Sequence, residues 1–367
     1  MAAVPVNSRA AVFHAAGQPL TIESFPLPEL KGSEAIVRIR CATICGSDLH
    51  SFTGRRHSPA PSVLGHEMVA DIVTLGPAGV KDYHGNPLAI GVRVTWSMVW
   101  SCGECFYCRR QVRPKCEKLL KFGHEKITPQ RALFGGLAEY CHLLEGTAVF
   151  KVPDGLTDRV ACPANCATAT VAAVLRRAGC CEGNTVVVHG AGMLGLTACA
   201  MAAEAGATEV ICLEPDPRRR SLAARFGATT VLDSALPEEQ TRQHVFNLTH
   251  NRGADISLEF CGYPEALELG IRLLREGGCF VVAGATFPSR PVRWSGEILV
   301  RRLLQVVGVY NYQPEDLGTA LEFLARCSAR YPFDELVAGS FSLADVNVAF
   351  DYAERQRPPR VAVIPAT

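Results

Sequence analysis

The sequence predicts an α/β protein in two parts: a mostly antiparallel β domain over residues 1–166 and a doubly wound parallel-sheet domain over 167–308, with 309–367 returning to the first. Three observations carry this reading. Early runs such as EAIVRIR and MVADIVTLG alternate like half-buried strands, separated by long irregular Gly- and Pro-rich insertions. From about Ala167 the rhythm becomes strand, helix, strand, which a parallel sheet requires. The chain then closes on VAVIP, a strand able to rejoin the first part and make the middle an insertion.

In the middle part the strand candidates are TVVVH (from 185), EVICL (from 209), TTVL (from 229), DISLEF (from 255) and CFVVAG (from 279). Between them DPRRRSLAARFG reads as a helix, with Asp216 at its N-cap and Pro217 in its first turn, and PEALELGIRLL as another. A final apolar run, LLQVVGVY, suits an edge strand or a buried one equally.

The 37 basic and 36 acidic residues leave a net charge of +1, so no overall field favours nucleic acid or an anionic membrane. The start, MAAVPVNSRAAVFHAAGQPL, lacks a sustained apolar core and a cleavage site, so no signal peptide is expected. Thr185–Ala203 carries no Asp, Glu, Lys or Arg, but its three glycines at turn spacing suit a strand, turn and buried helix better than a membrane span. A soluble, cytoplasmic protein is expected. Sixteen cysteines without a secretory signal do not suggest a disulfide framework. Cys141, Cys162, Cys180, Cys181, Cys199, Cys212, Cys261, Cys279 and Cys327 read as small buried hydrophobes.

The strongest local signal is Cys102-x-x-Cys105-x-x-Cys108-x7-Cys116, within a lobe at about 100–118. Four thiolates in one charged loop satisfy tetrahedral zinc and leave no open position, so this site is structural. The second is Gly190-Ala-Gly192-Met193-Leu194-Gly195, directly after TVVVH and opening an apolar helix, the setting of a Rossmann dinucleotide turn. Glu214 follows 24 residues after Gly190, where an acid binds the ribose hydroxyls of NAD and repels the 2′-phosphate of NADP. The same residue also fits a solvated loop charge, and Arg218, Arg219 and Arg220 nearby could tolerate a phosphate. The third signal is dispersed: Cys45-Gly-Ser47-Asp48-Leu-His50, then Gly65-His66-Glu67, then Cys166 in CPANCATAT. Catalytic zinc takes three protein ligands and keeps one position open, but no spacing rule forces these three together.

In combination CGSDLH, GHE, the four-cysteine lobe, GAGMLG and Glu214 resemble the zinc-dependent medium-chain alcohol dehydrogenase family, in the family's order and over nearly the whole chain. The resemblance implies a GroES-like catalytic domain interrupted by a Rossmann domain, with the active site in the cleft between them, and two zinc ions per chain. It implies Cys45, His66 and Cys166 as catalytic-zinc ligands, Glu67 as an acid able to approach the metal, and Asp48 as the carboxylate orienting the histidine ligand. Ser47 and His50 match its proton relay, although His50 alone reads equally as a surface histidine. Thr170 falls where the family meets the nicotinamide and Arg360 near the pyrophosphate, and Arg219 is counted with the cofactor-binding residues. NAD is the expected cofactor, a small alcohol or its carbonyl the substrate, and a homodimer or homotetramer the assembly.

Polyol and threonine dehydrogenases resemble one another in a Glu third ligand, whereas Cys166 matches the alcohol and formaldehyde enzymes. Zinc-free quinone and enoyl reductases lack the ligand sets present here. Two other readings are a polyol- or threonine-type enzyme and a non-catalytic zinc- and NAD-binding protein. After the relay histidine, Arg55 and Arg56 stand where the family lines its substrate pocket. A guanidinium fork suits a carboxylate or phosphonate, and the alternative is a pair of solvated charges. A resemblance to dehydrogenases associated with phosphonate catabolism agrees with the first. Trp96, Met98 and Trp100 fit an apolar pocket wall or the core. His124 and Glu125 belong to no motif and are assigned no catalytic role.

Overall fold

The computed structural model describes residues 5–179 and 181–365. Cys180 lies outside them. The chain forms two units, one of Met1–Cys166, Gln313–Ser328 and Phe333–Thr367, the other of Ala167–Tyr312 and Ala329–Pro332.

In the first unit a mixed sheet runs in the order Val149–Lys151, Arg93–Trp96, Glu67–Leu75, Ala35–Ile44, Arg360–Ile364, Val337–Ser342, with Tyr140–Leu143 also paired to Ala35–Ile44. All but the last pair of the series are antiparallel. The long strand Ala35–Ile44 is central because it is apolar almost throughout and buried on most positions. Its partner Arg360–Ile364 arrives from the end of the chain, with Val361 opposite Ile44 and Val363 opposite Ala42. A core that includes Val37, Ile39, Leu64, Met68, Phe122 and Phe350 packs within this unit.

Trp96 belongs to that core and not to a pocket wall: it is 0% exposed and packs edge-on against Phe122, ring centroids 5.8 Å apart. Trp100 is only partly buried, and its indole N–H donates to the Glu145 carbonyl at 2.7 Å. Met98 is buried beside them.

The second unit is the doubly wound sheet. Its six strands, β1 (Thr185–His189), β2 (Glu209–Leu213), β3 (Thr230–Leu232), β4 (Ala254–Glu259), β5 (Leu274–Val282) and β6 (Gln305–Gly308), are all parallel and lie in the order β3-β2-β1-β4-β5-β6. The order reverses between β1 and β4, which creates the crevice where such sheets bind ligands. The uncharged stretch is β1, a turn and the helix Met193–Glu204, buried at nine of its twelve positions, which explains its apolar character all round. No described helix is long and apolar enough to cross a membrane. The helix Pro217–Arg225 starts as its sequence dictates, with Asp216 accepting from the Arg218 N–H at 2.8 Å. LLQVVGVY supplies β6 at the sheet edge, where Val306 is 38% exposed.

Replacing a fully enclosed indole leaves a cavity that neighbours fill only in part. Trp96→Ala is expected to destabilise the first unit by about 3–5 kcal/mol, read as a lowered urea midpoint. A midpoint within error of the parent would remove Trp96 from the core.

Candidate metal and dinucleotide sites

The helix Gly46–Phe52 and the turn before the strand Glu67–Leu75 bring the dispersed residues together. Asp48, 0% exposed, organises both: its carboxylate accepts from the Cys45 N–H at 2.9 Å, the Gly65 N–H at 3.2 Å and His66 Nδ1 at 3.2 Å. The His66 proton is therefore directed to Nδ1, leaving Nε2 as the electron-pair donor. Gly65 makes the turn possible, with φ +87° and a hypothetical Cβ only 3.0 Å from the Leu137 nitrogen.

Ligand atoms of Cys45, His66, Glu67 and Cys166 all lie within 4.8 Å of one another, one set of donors within a single unit. Two sulfurs and an imidazole nitrogen at that spacing fit zinc. Cys45 sits well below the ordinary thiol range, chiefly through its hydrogen bond with Cys166 and, against the opposing effect of burial, through the positive charge of Arg360. Burial opposes charge on His66, but Asp48 and Cys45 outweigh it and hold its pKa at about 10. The hydrogen bond with Cys45 and then burial push the Cys166 thiol up, so a divalent cation bound here would displace the protons of Cys166 and His66. The Ser47 hydroxyl stands 3.3 Å from His66 Nε2, on the donor side of the ring.

Arg360 departs from the expected pyrophosphate contact. It is 4% exposed and clamps Glu67 with two parallel bonds, Nε to Oε2 and Nη2 to Oε1, each 2.7 Å. Thr43 Oγ1 adds a third bond to Glu67 at 2.5 Å. The guanidinium was expected at an anionic ligand, but the fully buried Glu67 carboxylate needs a counter-ion first. Glu67 is accordingly held by protein partners, and any movement towards the metal position must break them.

His50 lies at the end of the same helix, half-buried. Burial and then the charge of Arg55 lower its pKa below the ordinary imidazole value, so it is neutral at neutral pH and able to accept a proton. Arg55 is exposed and Arg56 half-buried. The structure adds a residue that sequence reasoning passed over. His124 is 5% exposed, its ring centroid is 4.9 Å from that of His66, and Arg56 Nη2 meets its Nδ1 at 3.2 Å. Burial, then the charges of His66 and Arg56, keep His124 neutral, so Nδ1 accepts from the guanidinium. No carboxylate pairs with Arg56 among the described residues. His124 had one legible signal, its place just after the cysteine lobe, but nothing in the sequence folds Lys121–Glu125 back onto His66. Glu125 is structural: it accepts from the Lys121 N–H at 2.9 Å.

The lobe gathers Cys102, Cys105, Cys108 and Cys116, again within 4.8 Å. Cys116 Sγ accepts backbone N–H bonds from Cys102 and Lys118, both at 3.3 Å, and the N–H groups of Glu117 and Cys108 lower Cys105 to about 6. Backbone donors favour thiolate at Cys105, whereas burial pushes Cys108 up to about 12 and raises Cys116, and a closed tetrahedral ion would displace those protons.

In the second unit Gly190 leaves β1 at φ +94°. A side chain on Gly195 would overlap the Gly190 carbonyl, while a Cβ on Gly192 meets nothing within 4 Å. Close helix–strand packing at the third glycine and open space at the second are what a bound pyrophosphate demands. Met193 and Leu194 begin the helix whose N-terminus faces that space. Glu214, 5% exposed, accepts from the Ala191 N–H at 2.6 Å and the Asp216 N–H at 3.1 Å, so it is no solvated loop charge. Arg220 is committed to the Glu214 and Pro215 carbonyls and to Asp233. Arg219 lies in the first turn of Pro217–Arg225, and Thr170 in the first turn of Ala167–Ala178.

Residues 31–154 match the alcohol dehydrogenase GroES-like domain, and residues 194–326 the zinc-binding dehydrogenase domain. The chain is 29% identical over 322 residues to 5-exo-hydroxycamphor dehydrogenase of Pseudomonas putida, covering 86% of this chain and 88% of that one. To L-threonine 3-dehydrogenase of Pyrococcus furiosus it is 30% identical over 287 residues, 77% of each. Among solved structures, an alcohol dehydrogenase of Thermotoga maritima superposes with a TM-score of 0.91 at 29% identity, over 98% of this chain and 100% of that one. A Sinorhizobium meliloti chain solved with NADP bound superposes with a TM-score of 0.85 at 25% identity, over 98% and 99%.

Because Arg55 depresses His50, Arg55→Gln should move the acid limb of kcat/KM to higher pH, since less repulsion lets His50 hold its proton longer. A limb that stays in place would dissociate His50 from the rate.

Proposed function

Since this chain belongs to the zinc-dependent medium-chain alcohol dehydrogenase family, we propose that it oxidises a small alcohol with NAD, using one catalytic and one structural zinc ion. The observation that carries the reading is the Cys45, His66 and Cys166 donor set with the Ser47 hydroxyl beside it. When bound, the catalytic zinc supplies a Lewis acid that acidifies the substrate hydroxyl, and NAD accepts the hydride. Ser47 takes the hydroxyl proton, and neutral His50 passes it to solvent. Asp48 keeps His66 oriented, and Glu67 and Arg360 set the charge around the thiolates. NAD is favoured over NADP because Glu214 places a buried negative charge beside the glycine turn. A polyol- or threonine-type enzyme is the second reading, favoured by relatives such as the threonine dehydrogenase; the cysteine at position 166 favours the first.

The substrate proposed is an alcohol bearing a carboxylate or phosphonate. Arg56 supports it: a half-buried guanidinium without a carboxylate partner, oriented by neutral His124 next to a metal-ligand ring. Phosphonate catabolism is the setting this chemistry suggests. The cytoplasm is the proposed compartment, because all fifteen described cysteines are free. A homodimer or homotetramer through the sheet edge is supported by Val300 and Leu303 near β6, 75% and 74% exposed.

Zinc analysis of the purified protein should find two ions per chain, falling to one in Cys45→Ser; a single ion in the parent would overturn the assignment of one set. Initial rates with NAD across paired alcohols differing only by a terminal phosphonate or carboxylate test the substrate. The anionic members should show about tenfold higher kcat/KM, a difference of about 1.4 kcal/mol, and Arg56→Leu should abolish that preference while sparing the neutral members. Preference for the neutral members would sink the anion reading and leave the dehydrogenase.

A further inference from the structure

Glu259 ends β4 with its side chain 0% exposed, and no cation pairs with it among the described residues. A buried carboxylate without a counter-ion must be held by hydrogen-bond donors. Here they are backbone amides of two separate turns. Oε1 accepts from the Cys261 N–H at 2.6 Å and from the Gly262 N–H, and Oε2 shares the Gly284 N–H, at 3.3 Å, with the main-chain carbonyl of Glu259, at 3.0 Å. The negative charge is felt locally: after burial, it is what pushes the Cys261 thiol up.

These turns follow β4 and β5, at the carboxyl ends of the strands. They interlock, since a Cβ on Gly262 would stand 2.5 Å from the Gly284 carbonyl oxygen. The first also buttresses the dinucleotide turn: the Phe260 N–H donates to the His189 carbonyl at 3.2 Å, and a Cβ on Gly190 would stand 3.3 Å from Cys261 Cβ. In a doubly wound sheet the two halves of a dinucleotide lie across the crevice at the reversal of strand order. That reversal falls between β1 and β4. Glu214 and the glycine turn serve the half over β1, β2 and β3, so the half over β4, β5 and β6 receives the nicotinamide. The backbone it meets there is the backbone Glu259 anchors.

We propose that Glu259 is a positioning residue for the nicotinamide half of the cofactor, holding the turns Cys261–Gly262 and Gly284 in one binding-competent arrangement. The inference rests on the nicotinamide-cofactor reading above. It predicts a division within the ligand: the adenine half should be indifferent to Glu259 and the nicotinamide half dependent on it. A glutamine there keeps one neutral acceptor oxygen for the Cys261 and Gly262 N–H groups but loses the charge and turns an NH2 towards the Gly284 N–H, and an aspartate keeps the charge but shortens the reach.

The test titrates NADH, NADPH and 5′-AMP into the zinc-loaded full chain, the parent fixing which dinucleotide is used thereafter. Glu259→Gln should weaken that dinucleotide at least tenfold while 5′-AMP stays within twofold. If the Gln chain does not fold, Glu259→Asp is measured in its place and should weaken the dinucleotide at least threefold with 5′-AMP again unchanged. A merely structural role would weaken both ligands together, and that result, or an unchanged dinucleotide affinity, overturns the proposal. A parent that binds neither dinucleotide overturns the cofactor reading itself, and the inference with it; a parent that binds normally beside unaffected variants overturns the inference alone.

Discussion

The buried ion pair between Glu67 and Arg360 joins the fold of the first unit to its chemistry. It links residues 293 positions apart, one at the start of the strand Glu67–Leu75 and the other at the start of the chain's final strand, Arg360–Ile364. Neither charge has water to stabilise it, so each is tolerable only while the other is in place; breaking such a pair costs about 3–5 kcal/mol. The pair therefore penalises any register in which the final strand does not meet Ala35–Ile44 as observed. The same guanidinium favours thiolate at Cys45, which ties the placement of the final strand to the charge of the candidate metal donors.

Asp48 works at shorter range in the same way. One carboxylate caps the helix after Cys45, fixes the turn at Gly65 and selects the His66 tautomer. Two donors separated by twenty residues thus owe their juxtaposition to a third residue that need not touch the ion. The second unit repeats the device with Glu214 and Glu259, buried acids that gather backbone N–H groups at the carboxyl ends of parallel strands. A charged acceptor bonds more strongly than a neutral one and rigidifies turns without occupying the space a ligand would fill.

Much of this was legible in the sequence because local rules produce it. The glycine turn needs its spacing and the strand before it. The four cysteines of the lobe are close in sequence, so their clustering asks only that one loop fold around an ion. Strand and helix periodicity located the parallel sheet, and Asp216 with Pro217 marked a helix start. The family resemblance grouped Cys45, His66 and Cys166 as candidate ligands, which spacing alone left unconnected, and the fold brings their donor atoms together.

Tertiary structure decided the partners of long side chains. Arg360 was legible as a cation near the end of the chain, but its reach allows several acceptors, and only the packed sheet shows that Glu67 has the stronger claim. Trp96 carried the same apolar signal as a pocket wall, and the core took it because Phe122 and the inner sheet face enclose it. His124 had no motif because its position depends on a loop returning over nearly sixty residues to His66. Glu259 looked like any strand-end acid until two turns were seen to converge on it. Sequence thus determined the elements, the cysteine lobe and the dinucleotide turn, where a few neighbouring residues suffice. The fold determined which charges meet, because burial removes water as their default partner and makes that choice a property of the whole packing.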